Sequence, residues 1–192
     1  MLSVRRGRWQ SGTMSEQPAG LVLNLECTVP SAPEATFRLL TEPAGLAKWW
    51  GPHGFSIPEV DVNLVVGGRY RFRMAPPEGE PFHLSGEFLE IDPPWRLVYT
   101  FAWEEPAPDD RETVVDLSLA STGTGTRIVL SQGPFLTEER LALHRNGWSD
   151  SFDKLGMAAR GAGVEPRHAE QTLNPPTVTN PRKPKARRRP LP

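Results

Sequence analysis

The sequence predicts an α+β domain: a curved antiparallel sheet of about seven strands wrapped around one long C-terminal helix, with two short helices after the first strand. Three observations predict it. Between Ile57 and Gln132, prolines and glycines cut the chain into strand-length pieces whose apolar residues recur at every second position, the period of a half-buried strand. After Gly133-Pro134 the period lengthens to that of a helix, with Leu141, Trp148 and Leu155 seven residues apart. Ahead of the strand-rich region lie one alternating segment and two short stretches bounded by prolines.

Leu21 to Val29 alternates apolar and polar residues after Val22, which places Leu23, Leu25, Cys27 and Val29 on a buried face. Pro30 ends this strand. Ser31-Ala32-Pro33-Glu34 has the spacing of a capping box, in which each side chain satisfies a free backbone N–H, so a short helix is expected through Leu40. Pro43 and Gly45 break it, and a second short helical turn carries Leu46 to Trp50.

Ile57–Val62 is the second strand. Gly67-Gly68 opens the third, where Arg69, Arg71 and Arg73 alternate with Tyr70, Phe72 and Met74, putting cations on one face and large apolar groups on the other. Those cations could bind an anion or pair with acids on neighbouring strands. Phe82–Ile91 follows, then a turn at Pro93-Pro94, then Arg96–Trp103 with Leu97, Tyr99, Phe101 and Trp103 on one face. Thr113–Ala120 presents Val115, Leu117 and Leu119. Thr122-Gly123-Thr124-Gly125 makes a hairpin, and Ile128 and Leu130 continue the inward face.

The long helix is expected from about Thr137 to Arg160. Thr137 can cap it, Glu138 and Glu139 favour its first turn through the helix dipole, and Gly161 is its stop. Arg145, Phe152 and Ala159 interleave with the apolar stripe. Gly147 and Gly156 each cost about 1 kcal/mol relative to Ala in a helix interior, which a close approach of the sheet would offset.

Charge divides the chain. Residues 21–160, the expected domain, hold 12 basic against 20 acidic side chains, whereas residues 161–192 hold seven basic against two acidic together with 7 of the 21 prolines. That last segment is expected to be a disordered, Pro-rich basic tail, able to touch nucleic acid or an acidic surface weakly through its charge. Residues 1–20 are expected to be flexible; Met1–Thr13, with Arg5, Arg6 and Arg8, is either a short basic leader or, the favoured reading, lies ahead of a translation start at Met14. They contain no apolar stretch of the kind a secretory signal needs, so a cytoplasmic location is expected. The single cysteine, Cys27, excludes an internal disulfide framework and a multi-cysteine zinc module. Every apolar run is interrupted before the ~18 residues a membrane helix requires.

Several motifs then occur in order: Trp49-Trp50-Gly51-Pro52; Asp61-Val62 leading to Gly67-Gly68-Arg69-Tyr70-Arg71-Phe72; Gly86-Glu87-Phe88-Leu89-Glu90-Ile91-Asp92-Pro93-Pro94-Trp95-Arg96-Leu97; Gly125-Thr126-Arg127-Ile128-Val129-Leu130; and Gly147-Trp148-Ser149-Asp150-Ser151-Phe152-Asp153-Lys154-Leu155. From roughly Leu21 to Ala159 the chain resembles the activator-of-heat-shock-ATPase homologue family of the SRPBCC superfamily, which also holds START, polyketide cyclase and Bet v 1-like proteins. The resemblance implies a helix-grip fold. It supplies no catalytic signature, and fold alone does not assign function.

A curved sheet and a helix cannot touch everywhere, and the gap between them is the natural ligand cavity. The first reading is a binding module for a small apolar or amphipathic molecule. Its expected lining is Trp49, Trp50, Phe55, Tyr70, Phe72, Phe88, Tyr99, Phe101, Trp148 and Phe152, with His53 at the mouth by the resemblance. Against that stands a plainer alternative, in which the tryptophans plug the core and His53 sits in solvent. Tyr70 and Tyr99, the two tyrosines, offer either a polar handle in the cavity or a bond to backbone. A second reading, a cyclase- or hydrolase-like enzyme, needs two titratable groups in the cavity, with His53 and Tyr70 the best available and Glu87 or Glu104 more distant. A third, stimulation of a heat-shock ATPase, is what the family name suggests; against it, the co-chaperones carry an additional N-terminal domain that is not expected in this chain. No cofactor is expected, since no Gly-x-Gly-x-x-Gly or phosphate loop occurs. No metal is expected either, because His53, His83, His144 and His168 show no ligand spacing. His83, between Phe82 and Leu84, is expected to point outward.

Overall fold

The computed structural model describes residues 20–162. The expectations for the flexible first segment with its start at Met14, and for the basic tail, lie outside the described residues. Within them the chain runs β1 (Leu21–Val29), α1 (Pro33–Thr41), α2 (Pro43–Trp49), β2 (Ser56–Val62), β3 (Arg69–Ala75), β4 (Phe82–Asp92), β5 (Arg96–Trp103), β6 (Thr113–Thr122), β7 (Gly125–Phe135) and α3 (Glu138–Ala162).

All seven strands form one antiparallel sheet in the order β1-β7-β6-β5-β4-β3-β2. Strands β2 to β7 are a simple meander, because each pair is joined by a local turn. The first strand then adds to the far edge beside β7, so the chain must cross the whole sheet between β1 and β2. Helices α1 and α2 make that crossing, on the face that α3 also covers. This is the helix-grip arrangement.

The alternation of the strands decides what lies beneath the helices. Leu23 and Val29 of β1, Leu84 of β4, Val115 and Leu117 of β6, and Ile128 and Leu130 of β7 are all essentially fully buried, as are Leu155 and Ala159 of α3. On the outer face the β3 cations meet acids: Arg71 donates two bonds to Glu104, at 2.8 and 2.7 Å, and Arg73 lies 3.1 Å from Glu59. Such exposed pairs are screened by solvent and contribute little to stability. His83 also lies off the inward face, with Nδ1 3.6 Å from Glu105.

Five local expectations are corrected. The Ser31–Glu34 capping box does not form: the N-cap of α1 is Ala32 with Pro33 at the first helical position, so the spacing is one residue out. Ser31 is instead drawn into a buried polar knot, its hydroxyl 2.7 Å from that of Thr36 and its carbonyl accepting from Thr126 Oγ1 at 2.7 Å. Strand β7 does not stop at Gly133-Pro134, since Phe135 is buried and pairs with Leu21 across a bulge. Arg145 is exposed, and His144, three residues after Leu141 and four before Trp148, takes the inward position. Gly161 lies inside α3 and does not end it. No close approach of the sheet explains the helix glycines: Gly147 faces the Pro52 ring at 3.8 Å, and Gly156 faces open space. The Thr137 cap does form, its Oγ1 accepting from Arg140 N–H at 3.1 Å.

Candidate functional site

Helix α3 packs on β1, α1 and α2, and only lightly on β7. Over β3, β4 and β5 helix and sheet stand apart, and Trp50, the residue that caps α2, divides the gap. Its indole packs 4.9 Å from the Phe72 ring on the sheet side and 5.3 Å from Trp148 on the helix side. Inward of it remains a void of about 10 Å³, walled by Leu40, Leu46 and Leu97 and by the rings of Tyr70, Phe72, Phe88 and Tyr99. Outward of it opens a pocket of about 270 Å³.

Each wall of the outer pocket comes from a different element. The sheet supplies Met74, Phe101 and Trp103, with Phe82 from the start of β4; the segment after α2 supplies Gly51, Pro52 and Phe55; α3 supplies Leu143, His144, Asn146, Gly147, Trp148, Asp150 and Ser151. The wall after α2 is clasped to the helix. Lys154 Nζ donates to the carbonyls of Trp50, Gly51 and Pro52 at 3.1, 3.1 and 3.4 Å, and His53 N–H donates to Asp150 Oδ2 at 3.1 Å. Gly51 makes the turn at φ 82°, a conformation that side chains resist, and a Cβ there would meet the Met74 methyl at 2.9 Å.

One polar group lies beneath the pocket. Gln132 of β7 is fully buried, and its carboxamide oxygen accepts from Trp148 Nε1 at 2.6 Å while its Nε2 donates to Thr113 Oγ1 at 2.9 Å. The indole N–H can only donate, so the oxygen of the amide must face it. His144 Nδ1 lies 3.3 Å from that same oxygen. Two donors therefore converge on Gln132 Oε1, and the proton of the neutral imidazole sits on Nδ1. Burial pushes the His144 pKa down to about 4; nearby Asp110 opposes the shift and Arg140 adds to it. At neutral pH the pocket presents an uncharged imidazole.

Of the residues expected to line a cavity, Trp50, Phe55, Phe101 and Trp148 line the outer pocket, while Tyr70, Phe72, Phe88 and Tyr99, again with Trp50, surround the inner void. Trp49, His53 and Phe152 line neither. Trp49 is buried in the core with its Nε1 donating to Leu39 O at 2.7 Å, Phe152 packs 6.0 Å from Trp148, and the His53 side chain is half exposed near Asp153. Tyr70 Oη donates to Thr100 O at 2.8 Å, whereas Tyr99 Oη is sealed without a partner. Gln132 and His144 were missed as a pair. Gln132 shares the parity of Ile128 and Leu130, so an inward amide was legible in β7; His144 needed the 3.6 rather than the 3.5 period.

Other surfaces offer less chemistry. A depression of about 330 Å³ beside Pro30–Pro33 and the β6–β7 hairpin is wide open and has no aromatic or titratable lining. His83, Glu104 and Glu105 bring one ligand atom each within 4.8 Å, but both Glu104 oxygens are already held by Arg71. Burial and the neighbouring Glu26 push the Cys27 thiol up to about 12, so it is no nucleophile. Among the described residues no helix is long and apolar enough to cross a membrane.

The sequence profile of the Activator of Hsp90 ATPase homolog 1-like family matches residues 30–159. Similar solved structures include a Nitrosomonas europaea protein, 30% identical over 73% of this chain and 95% of its own with a TM-score of 0.63. An AHSA1 protein from Silicibacter pomeroyi is 30% identical over 71% of this chain and 96% of its own, with a TM-score of 0.61. A Chromobacterium violaceum protein, 24% identical over 72% of this chain and 96% of its own, superposes with a TM-score of 0.67 and is similar in fold. No curated protein matches the chain.

Proposed function

The chain belongs to the Activator of Hsp90 ATPase homolog 1-like family, and from that premise we propose that it binds a small, largely apolar molecule in the pocket between α3 and the sheet, without covalent chemistry. The observation that carries this reading is the pocket itself: about 270 Å³, walled by aromatic rings from β4, β5, α3 and the segment after α2. That volume is just below the ~300–1,000 Å³ usual for ligand sites, so it suits a one- or two-ring molecule better than a long lipid. The inner void is far too small to extend it while Trp50 stays in place.

Binding suits the site better than catalysis. The titratable side chains at the pocket are His144 and Asp150. An efficient general base has a pKa near the working pH, and His144, at about 4, is a weak base there. Asp150 is occupied in holding the backbone of His53.

Titration with 2-naphthol, followed through tryptophan fluorescence because Trp50, Trp103 and Trp148 line the pocket, tests the reading. Saturable quenching is expected. Ser151→Phe, which adds bulk from α3 without removing a core side chain, should abolish it while the circular dichroism stays native. Unchanged binding in a folded Ser151→Phe protein would place the ligand elsewhere.

A further inference from the structure

The Gln132 network has a consequence for what the pocket can hold. Because Nδ1 of His144 carries the ring proton and gives it to Gln132, Nε2 is left as a bare acceptor. Among the described residues it has no hydrogen-bond partner. Nor does it belong with the sealed, unpartnered side-chain atoms of the described residues, of which Tyr99 Oη is the one, and the space His144 borders is the pocket. Around the imidazole the surroundings are aromatic: Phe101 at 5.3 Å, Trp103 at 5.9 Å and Phe135 at 4.9 Å between ring centres. An acceptor in such a setting is costly to cover with an apolar group and rewarding to pair with a donor.

We infer that the occupant of the pocket is a neutral aromatic molecule bearing a hydroxyl or N–H donor, which His144 Nε2 accepts while the rings hold its apolar body. This rests on the binding reading given above and adds a chemical class to it. Anions are disfavoured, since among the described residues no lysine or arginine lines the pocket and Asp150 does. A cation would need Asp150 as its counter-ion, and that carboxylate already interacts with the Lys154 ammonium. A donor-free hydrocarbon or ether would leave Nε2 desolvated and unpaired.

Two measurements test the inference. Long-range proton–nitrogen NMR of the free protein at pH 7 should find His144 protonated at Nδ1 and bare at Nε2; the opposite tautomer overturns the proposal with no ligand present. Binding is then compared for 2-naphthol, 2-methoxynaphthalene, 2-naphthoate and 2-naphthylmethylamine. One net hydrogen bond is worth up to about tenfold in affinity, so 2-naphthol should bind about tenfold more tightly than its methyl ether, and the two charged probes should bind more weakly than 2-naphthol. The advantage should vanish in His144→Phe, where Gln132 keeps its bond from Trp148 and the ring volume is retained. Equal affinity for naphthol and its ether overturns the donor requirement while leaving ligand binding in place, and so does a charged probe that outcompetes naphthol. If no probe binds, the binding reading fails and the inference fails with it.

Discussion

At the scale of single residues, three buried polar groups make distinguishable predictions. His144 has a folded-state pKa of about 4 against an ordinary value of 6.5. As pH falls below 6.5 the unfolded chain takes up a proton that the folded imidazole refuses, so stability is lost through this group between pH 6.5 and about 4. From pH 7 to pH 5 the loss is on the order of 2 kcal/mol, and urea unfolding of His144→Gln should lack that increment; equal losses in both proteins would contradict the neutral, buried imidazole. The tyrosines form the second contrast. Tyr99 Oη is sealed without a partner, so Tyr99→Phe should raise stability by about 1 kcal/mol, whereas Tyr70→Phe, which removes the bond to Thr100 O, should lower it by about as much. Thermal melts check both, and a destabilised Tyr99→Phe would contradict the account. Placing both phenols on inward faces was legible from strand parity alone. Which of the two finds a carbonyl was not, because that depends on where the neighbouring backbone of β5 lies in three dimensions.

At the scale of elements, boundaries followed the sequence where a local rule acted alone. Thr137 caps α3 as its position suggests, and β5 runs from Arg96 to Trp103 as its alternation requires. The rules misled where a tertiary partner competed. Ser31 does not cap α1: its hydroxyl turns to that of Thr36, and its carbonyl is held by Thr126, a contact visible only once β7 is beside α1. Glycines show the same division. Gly45 in α2 lies against α1 so closely that a Cβ would sit 2.8 Å from Leu39 Cα, whereas Gly156 in α3 faces open space. Gly156→Ala should therefore stabilise by roughly 0.5–1 kcal/mol through helix propensity, and Gly45→Ala should destabilise because backbone, not a flexible side chain, is in the way. Denaturant midpoints of the two variants moving in the same direction would contradict this reading of the helix contacts.

At the scale of the whole molecule, the meander sheet with its first strand returned to the far edge forces two short helices across the concave face. Their end, Trp50 to Pro52, is clasped by Lys154 and becomes one wall of the pocket. The fold class was legible because alternation, punctuation and the final change of period all describe the backbone. The extent of the cavity was not, since it depends on how far one side chain, Trp50, fills the gap. Instead of one continuous chamber lined by every inward ring, the gap is an outer pocket of about 270 Å³ and, on the other side of Trp50, a void of about 10 Å³. The central claim is that this outer pocket is the ligand site. Amide and indole chemical shifts recorded during a 2-naphthol titration test it most directly: the account predicts saturable changes concentrated at Trp50, Phe55, Trp103, His144 and Gly147. Changes concentrated instead at Pro30–Pro33 and Thr122–Gly125, or no saturable change at all, would contradict it.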